Sequence, residues 1–188
     1  LARRRRGRLT WWMVGSAAAV AVIALVVASI ALTPKPATYD AGGTGADIEG
    51  VETFTNETQH VQGTVDYPQN PPAGGPHNQY WLNCGVYDQP QRNENAVHSL
   101  EHGAVWVTYT PKAAKADIEA LSAKVKKTPY SLMSPYENQA APLMLSAWGH
   151  QVAVKSASDP EVNKFFADFV QGPQTPEPGA SCTGGVMK

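Results

Sequence analysis

The stretch Val97-His98-Ser99-Leu100-Glu101-His102-Gly103, followed directly by Ala104-Val105-Trp106-Val107-Thr108-Tyr109, predicts a short helix that leads into a strand. At about 100° per residue, His102 lies about 40° to one side of His98 and Glu101 lies about 60° to the other. The two imidazoles and the carboxylate therefore share one face of the predicted helix.

The residues around this polar face complete the pattern of an amphipathic helix lying on a core. Asn93 or Asn95 is suited to cap the helix start, and Gly103 occupies the place where a helix end commonly takes a left-handed residue. The apolar residues fall on roughly the opposite side: Ala96, Val97 and Leu100. We therefore expect the polar face to point away from the core.

Two histidines at positions i and i+4 can ligate one metal ion, and Glu101 can serve as a ligand, an orienter or a base. His98 and His102 are thus candidate ligands, with Glu101 as orienter or fourth ligand. His77 is the candidate third ligand, because it ends a Pro- and Gly-rich loop over residues 67–78 that has the freedom to approach this face. The alternative is a hydrogen-bonded polar cluster that fixes the helix end. His60 and His150 are less favoured as ligands.

The N-terminal region predicts a membrane anchor. Residues 1–10 carry five arginines, and residues 11–32 form an uncharged apolar stretch long enough to span a bilayer as a helix. The arginines place residues 1–10 in the cytoplasm as a basic tip, so the rest of the chain is expected outside the membrane. A cleaved signal peptide ending near Ser29-Ile30-Ala31 is the alternative, although its apolar core is typically shorter. Residues 33–49 predict a linker, and residues 50–188 an extracytoplasmic domain.

The charge balance argues against a nucleic-acid partner. The chain has 15 Lys and Arg against 16 Asp and Glu, but five of the positive charges lie in the basic tip. The remainder is acidic and is expected outside the cell, so nucleic-acid binding is disfavoured. The expected partners are the lipid bilayer and a membrane protein complex.

The two cysteines, Cys84 and Cys182, most simply form one disulfide in an exported domain. It would close a loop of nearly a hundred residues and tie the C-terminal tail to the aromatic segment around Cys84. The alternative is that Cys84 is a soft ligand for copper or zinc.

The remaining pattern predicts the α+β class: one sandwich of a mostly antiparallel or mixed sheet covered by two to three helices. Beyond the 104–109 strand, a helix is expected over residues 113–127, opened by Pro111, and a second helix from Pro160. Strands are expected over residues 130–134, 142–148 and 151–154, the last two forming a hairpin across Gly149-His150. The tail from Gly172 is expected to be coil.

Several short motifs resemble the domain-of-unknown-function family 3105. They are Gly63-Thr64-Val65-Asp66-Tyr67, Asn83-Cys84-Gly85-Val86-Tyr87, Val97-His98-Ser99-Leu100-Glu101-His102-Gly103, Ala147-Trp148-Gly149-His150 and the ending from Gly172 to Cys182. The resemblance covers roughly residues 50–186. It implies a bacterial, chiefly actinobacterial, membrane-anchored protein with its domain outside the membrane, and it implies no activity.

The leading hypothesis from the sequence is a membrane-tethered extracytoplasmic domain that binds copper or zinc through its His/Glu cluster. The alternative is a non-catalytic accessory or interaction subunit of a membrane complex, in which the cluster is purely structural. An enzyme is less favoured, because no nucleophile is evident. His98–His102 matches the inverted zinc-protease motif H-x-x-E-H, but Gly103 ends the helix at once and a strand follows.

Overall fold

The computed structural model describes residues 43–187. The predicted cytoplasmic tip, the apolar segment 11–32 and the linker up to residue 42 lie outside the described residues. Within residues 43–187, none of the helices has the length and hydropathy that crossing a bilayer requires. The elements, in chain order, are β1 (Glu52–Thr53), β2 (Gly85–Val86), α1 (Asn93–Glu101), β3 (Val105–Tyr109), α2 (Lys115–Lys127), β4 (Ser131–Pro135), β5 (Leu143–Ala147), β6 (His150–Val154) and α3 (Pro160–Phe169).

The strands form one mixed sheet in the order β1-β6-β5-β3-β4-β2. The pairs β1/β6, β6/β5 and β5/β3 are antiparallel, whereas the pairs β3/β4 and β4/β2 are parallel. The parallel pair β3/β4 is joined by α2, as a parallel connection needs a crossover segment. The α+β class, with a mixed sheet covered by three helices, is confirmed.

The central strand β3 is buried on both sides because helices cover both faces of the sheet. Its Val105 and Val107 pack in one core with α2 and α3, where Phe165, Phe166 and Phe169 are among the largest fully buried side chains. Trp106 faces the other core, where α1 packs with Ala96, Val97 and Leu100. The apolar face of α1 is therefore placed as predicted.

The polar face of α1 differs from the expectation. His98, Glu101 and His102 are only 2–3 % exposed, so this face is buried as well. The Pro/Gly loop and the C-terminal tail lie over it. Amphipathic spacing predicts the two faces of the helix correctly. It does not predict that irregular segments from elsewhere in the chain cover the polar face.

Several element boundaries also differ from the prediction. No side chain caps α1: Arg92 is the N-cap residue, and Asn95 instead donates to the Tyr80 carbonyl. Helix α2 begins at Lys115, after a turn that follows Pro111. The β5/β6 hairpin is confirmed, with its turn one residue earlier, at 148–149. Gly103 has φ +88°, which is the left-handed helix end that was predicted.

The folded part extends into the stretch predicted as a linker. Ile48 is 4 % exposed and packs in the core beside α3, and the amide of Gly45 donates to Asp168 Oδ2. These contacts fasten residues 45–48 to the last helix of the domain.

The predicted disulfide between Cys84 and Cys182 is present, and the two cysteines are 98 positions apart in the sequence. It places the coil that follows α3 against the segment preceding β2, where Cys84 also donates its amide to the Cys182 carbonyl. Neither cysteine has a free thiol. The tail is thus a fixed part of the fold, although it lacks regular structure.

We predict that Cys84→Ser, Cys182→Ser and the double variant lose the same free energy of unfolding, about 4–5 kcal/mol by chain entropy for a loop of this length. Urea denaturation measures it. Lys126→Ala, at an exposed position on α2, is the control and should change stability little. Additive losses in the double variant would contradict a bridge between these two residues.

Candidate metal centre

Four of the chain's five histidines converge on the buried polar face of α1. His98 lies on the helix, and His102 is its C-cap residue. His77 comes from the end of the Pro/Gly loop, and His60 from the extended segment before that loop. The fifth, His150, lies elsewhere, stacked on Phe169 with 4.3 Å between ring centroids.

His60 and His77 are held side by side by backbone pairing. The amide of His77 donates to the Gln59 carbonyl and the amide of Val61 donates to the His77 carbonyl, which makes an isolated parallel bridge. The chain between them contains Gly75, whose φ of +112° is one that other residues rarely adopt. Its ends therefore deliver two imidazoles to the same place.

The three buried histidines are each oriented by a backbone carbonyl. Nδ1 of His77 donates to the Gly75 carbonyl at 2.8 Å, Nδ1 of His98 to the Asn78 carbonyl at 2.6 Å, and Nδ1 of His102 to the Ser181 carbonyl at 2.7 Å. A carbonyl only accepts, so each Nδ1 carries the proton. In the neutral ring, Nε2 then has a free lone pair, which is the tautomer of a metal-ligating histidine whose other nitrogen is hydrogen-bonded.

His77 and Glu101 form the centre of the cluster. Nε2 of His77 lies 2.9 Å from Oε2 of Glu101, and the two side chains are 0 % and 3 % exposed. The contact does not meet the geometry of a hydrogen bond, and neither atom has another hydrogen-bond partner among the described residues. A close contact without a hydrogen bond is what two ligands of one metal ion show, because each directs its lone pair at the ion and not at the other ligand.

The spacing of the ligand atoms fits one ion. His60, His77, His98 and Glu101 each offer one ligand atom within 4.8 Å of those of the other three. Nε2 of His60 lies 3.8 Å from Oε2 of Glu101. In a tetrahedral site with bonds of about 2.0–2.1 Å, neighbouring ligand atoms are about 3.3 Å apart, between the two distances measured from Glu101. We call these four residues the inner position.

A second ligand set overlaps the first and is completed by the C-terminal tail. His98, His102 and Glu177 also bring one ligand atom each within 4.8 Å of the others. Nε2 of His102 lies 3.4 Å from Oε2 of Glu177, whose side chain is half exposed. The amide of Glu177 donates to the Glu101 carbonyl at the end of α1. We call this set the tail position.

The indole rings of two tryptophans pack against the histidines of the cluster. Trp81 lies against His98 and His102, at 5.7 and 5.1 Å between ring centroids, and Trp148 meets His77 edge-on at 5.8 Å. Apolar walls lower the local dielectric and limit access of water, both of which strengthen metal–ligand interactions.

The electrostatics of the cluster favour a neutral His98 beside an ionised Glu101. Burial lowers the pKa of His98 to about 4, with a smaller contribution from the neighbouring His102 and His77. Burial opposes ionisation of Glu101, but the interactions with His77, and after it His98 and His60, outweigh burial and hold the pKa of this carboxyl below its ordinary value. A neutral imidazole and a carboxylate are the protonation states that bind metal.

Of the four ligands predicted from sequence, His77, His98 and Glu101 lie together in the inner position. His102 lies with His98 in the tail position. From the sequence alone, His60 is one of the less favoured ligands, and Glu177 is not indicated at all. His60 is placed by a bridge to a residue beyond the loop, and Glu177 by a tail without periodicity, so neither position has a local pattern. The small number of histidines was the one available signal for His60.

Comparison with known protein families places the domain. A family model described as a protein of unknown function (DUF3105) matches residues 60–184. The chain belongs to the DUF3105 family. The resemblance seen in the sequence is thereby confirmed, and the matched span contains every residue of both metal positions. No curated protein and no solved structure matches this DUF3105 chain.

We predict that one imidazole of the metal-free DUF3105 domain titrates with a midpoint near pH 4, because burial lowers the pKa of His98. NMR of the ring resonances measures the midpoint, and His98→Gln should remove this titration alone. Between pH 6.5 and 4 the unfolded chain binds more protons at this residue than the native one, so the free energy of unfolding should decrease as pH falls through that window. A His98 midpoint near 6.5 would contradict the assignment.

Proposed function

We propose that this domain binds one divalent transition metal ion, copper or zinc, at His60, His77, His98 and Glu101. The observation that carries the proposal is the pair His77 Nε2 and Glu101 Oε2, buried at 2.9 Å without a hydrogen bond. With the proton on Nδ1 of His77, both facing atoms are electron-pair donors, which repel unless a positive charge lies beside them. A cation ligated by both relieves that repulsion.

The donor set favours Cu(II) or Zn(II) over Cu(I). Imidazole nitrogen suits copper and zinc, whereas thiolate and thioether ligands select Cu(I). Both cysteines are in the disulfide, and the buried Met133 and Met144 belong to the sheet, not to the His/Glu cluster. Three imidazoles and one carboxylate provide four ligands, a complete tetrahedral set for Zn(II) and the nitrogen and oxygen donors that Cu(II) binds in tetragonal geometry.

The same pair also has a purely structural interpretation. If His77 is protonated on both nitrogens, it makes a buried ion pair with Glu101, and the cluster then fixes the loop on α1 without a metal. The domain would in that case be an accessory or interaction module. Removing one partner of a buried pair is costly, so both interpretations predict unstable variants, and only metal binding separates them.

We predict that the full chain, purified without a histidine tag, binds one Cu(II) or Zn(II) per molecule, with affinity falling at low pH as the imidazoles become protonated. His98→Gln should abolish binding, and His77→Gln should weaken it. Glu101→Gln should reduce affinity by at least about 10–100-fold, the loss typical even of outer-shell partners. Isothermal titration and elemental analysis measure both stoichiometry and affinity.

The matched control is His150→Gln, which removes the one histidine outside the cluster and should bind metal as the unaltered chain does. Circular dichroism of each variant separates lost ligands from lost fold. If the unaltered chain binds neither ion below millimolar concentration, the structural interpretation replaces the metal site.

We also propose that the domain is tethered to the outer face of the cell membrane. Support comes from the arginine-rich tip, the apolar segment 11–32 and a disulfide, which persists in oxidising compartments. An oxidising setting outside the cytoplasm also suits the handling of Cu(II).

We predict that a reporter enzyme that folds only outside the cytoplasm is active when fused after Lys188. A reporter that needs the cytoplasm should be inactive there. Exchanging the five arginines of residues 1–10 for glutamine should reduce the fraction of correctly oriented chains. A mature N-terminus near Leu32, found by sequencing, would show cleavage and contradict the anchor.

A further inference from the structure

We propose that the C-terminal tail supplies an alternative position for the same ion, formed by His98, His102 and Glu177, and that the ion passes between the two positions through His98. This inference rests on the proposed function. It adds a second ligand set and a route by which the ion leaves the inner position.

The tail position is a built arrangement. His102 is 3 % exposed, and its ring is held by donation from Nδ1 to the Ser181 carbonyl at 2.7 Å, which leaves Nε2 free on the side of Glu177. The rings of His98 and His102 meet edge to face, with 4.5 Å between their centroids. The carboxylate of Glu177 reaches to within 3.4 Å of His102 Nε2.

Several independent contacts fix the position of the C-terminal tail, and they thereby fix the position of Glu177. The side chain of Gln171 donates to the His102 carbonyl and accepts from the Gly179 amide. The hydroxyl of Tyr130 donates to the Ala180 carbonyl at 2.9 Å. Beyond these contacts, the disulfide links Cys182 of the tail to Cys84. Residues 171–182 therefore hold Glu177 over the end of α1.

The two positions cannot be filled at once. His98 belongs to both sets, and its Nδ1 is occupied by the Asn78 carbonyl, so it has a single nitrogen for an ion. One nitrogen lone pair serves one metal ion. The stoichiometry therefore stays at one per chain. His98 is the ligand that an ion keeps while it exchanges His60, His77 and Glu101 for His102 and Glu177.

The two positions differ in how they meet an incoming ligand. The inner position has four ligands; its carboxylate is buried, and only its His60 has a half-exposed side chain. The tail position has three, and its carboxylate is half exposed. A three-ligand site keeps a coordination place open, which is what an attacking chelator or a receiving protein needs. We infer that the ion is released from the tail position.

The test is a set of variants of the full, untagged chain titrated with Zn(II). The single variant His77→Gln should still bind one ion through the tail position. In that background Glu177→Gln should cost about a further 10-fold or more, because it removes one of three remaining ligands. Glu137→Gln, at an exposed carboxylate away from the cluster, is the matched control and should cost nothing.

The proposed passage of the ion through the tail position is tested by the rate at which bound Zn(II) leaves the protein. Transfer of bound Zn(II) to excess EDTA, followed by tryptophan fluorescence, should be about 10-fold slower in Glu177→Gln than in Glu137→Gln, since the receiving carboxylate is gone. Glu177 is half exposed, so this variant folds even where His102→Gln does not. Equal affinities for His77→Gln with and without Glu177→Gln, or equal transfer rates, would overturn the tail position while leaving the inner one intact. Absence of binding in the unaltered chain would overturn both.

Discussion

Helix α1 is buried on both of its faces, and the rest of the site follows from the need to satisfy its polar side chains. Ala96, Val97 and Leu100 pack against the sheet, whereas the opposite face carries His98 and Glu101. A buried polar atom without a partner costs about 1–3 kcal/mol. The irregular segments around α1 supply carbonyl acceptors to His98 and to His102 at the helix end, whereas Oε2 of Glu101 has no hydrogen-bond partner among the described residues. They are therefore ordered by the helix that they cover.

The same requirement explains why loops without regular structure form an ordered site. The Pro/Gly loop brings the Gly75 carbonyl to His77, and the turn after it brings the Asn78 carbonyl to His98. The tail brings the Ser181 carbonyl to His102. Every one of these bonds uses Nδ1, which leaves each Nε2 for another partner. Nε2 of His77 faces the Glu101 carboxylate at 2.9 Å, and Nε2 of His102 faces the Glu177 carboxylate at 3.4 Å.

The sequence predicts the parts of this molecule that depend on local pattern. The 3.6-residue period predicts α1 and α3, the β-branched and aromatic run predicts β3, and the presence of only two cysteines in the sequence favours their bridge. The pattern does not reveal the burial of the polar face of α1, because the covering segments are placed by tertiary contacts. His60 reaches the cluster through a backbone bridge to His77, and Glu177 through a tail tied down at Cys182. Both depend on the completed fold.

If the domain binds the proposed ion, metal binding and folding are coupled. An ion at the inner position joins the segment at His60, the loop end at His77 and the helix at His98 and Glu101, which lie apart in the sequence. A ligand that binds only the native state stabilises it by about 2.7 kcal/mol at a concentration 100 times its dissociation constant. In the metal-free chain the carboxylate of Glu101 faces Nε2 of His77 without a hydrogen bond, so the same ion also removes an unfavourable contact. The site is thus the place where the loop, the tail and the helix depend most on one another.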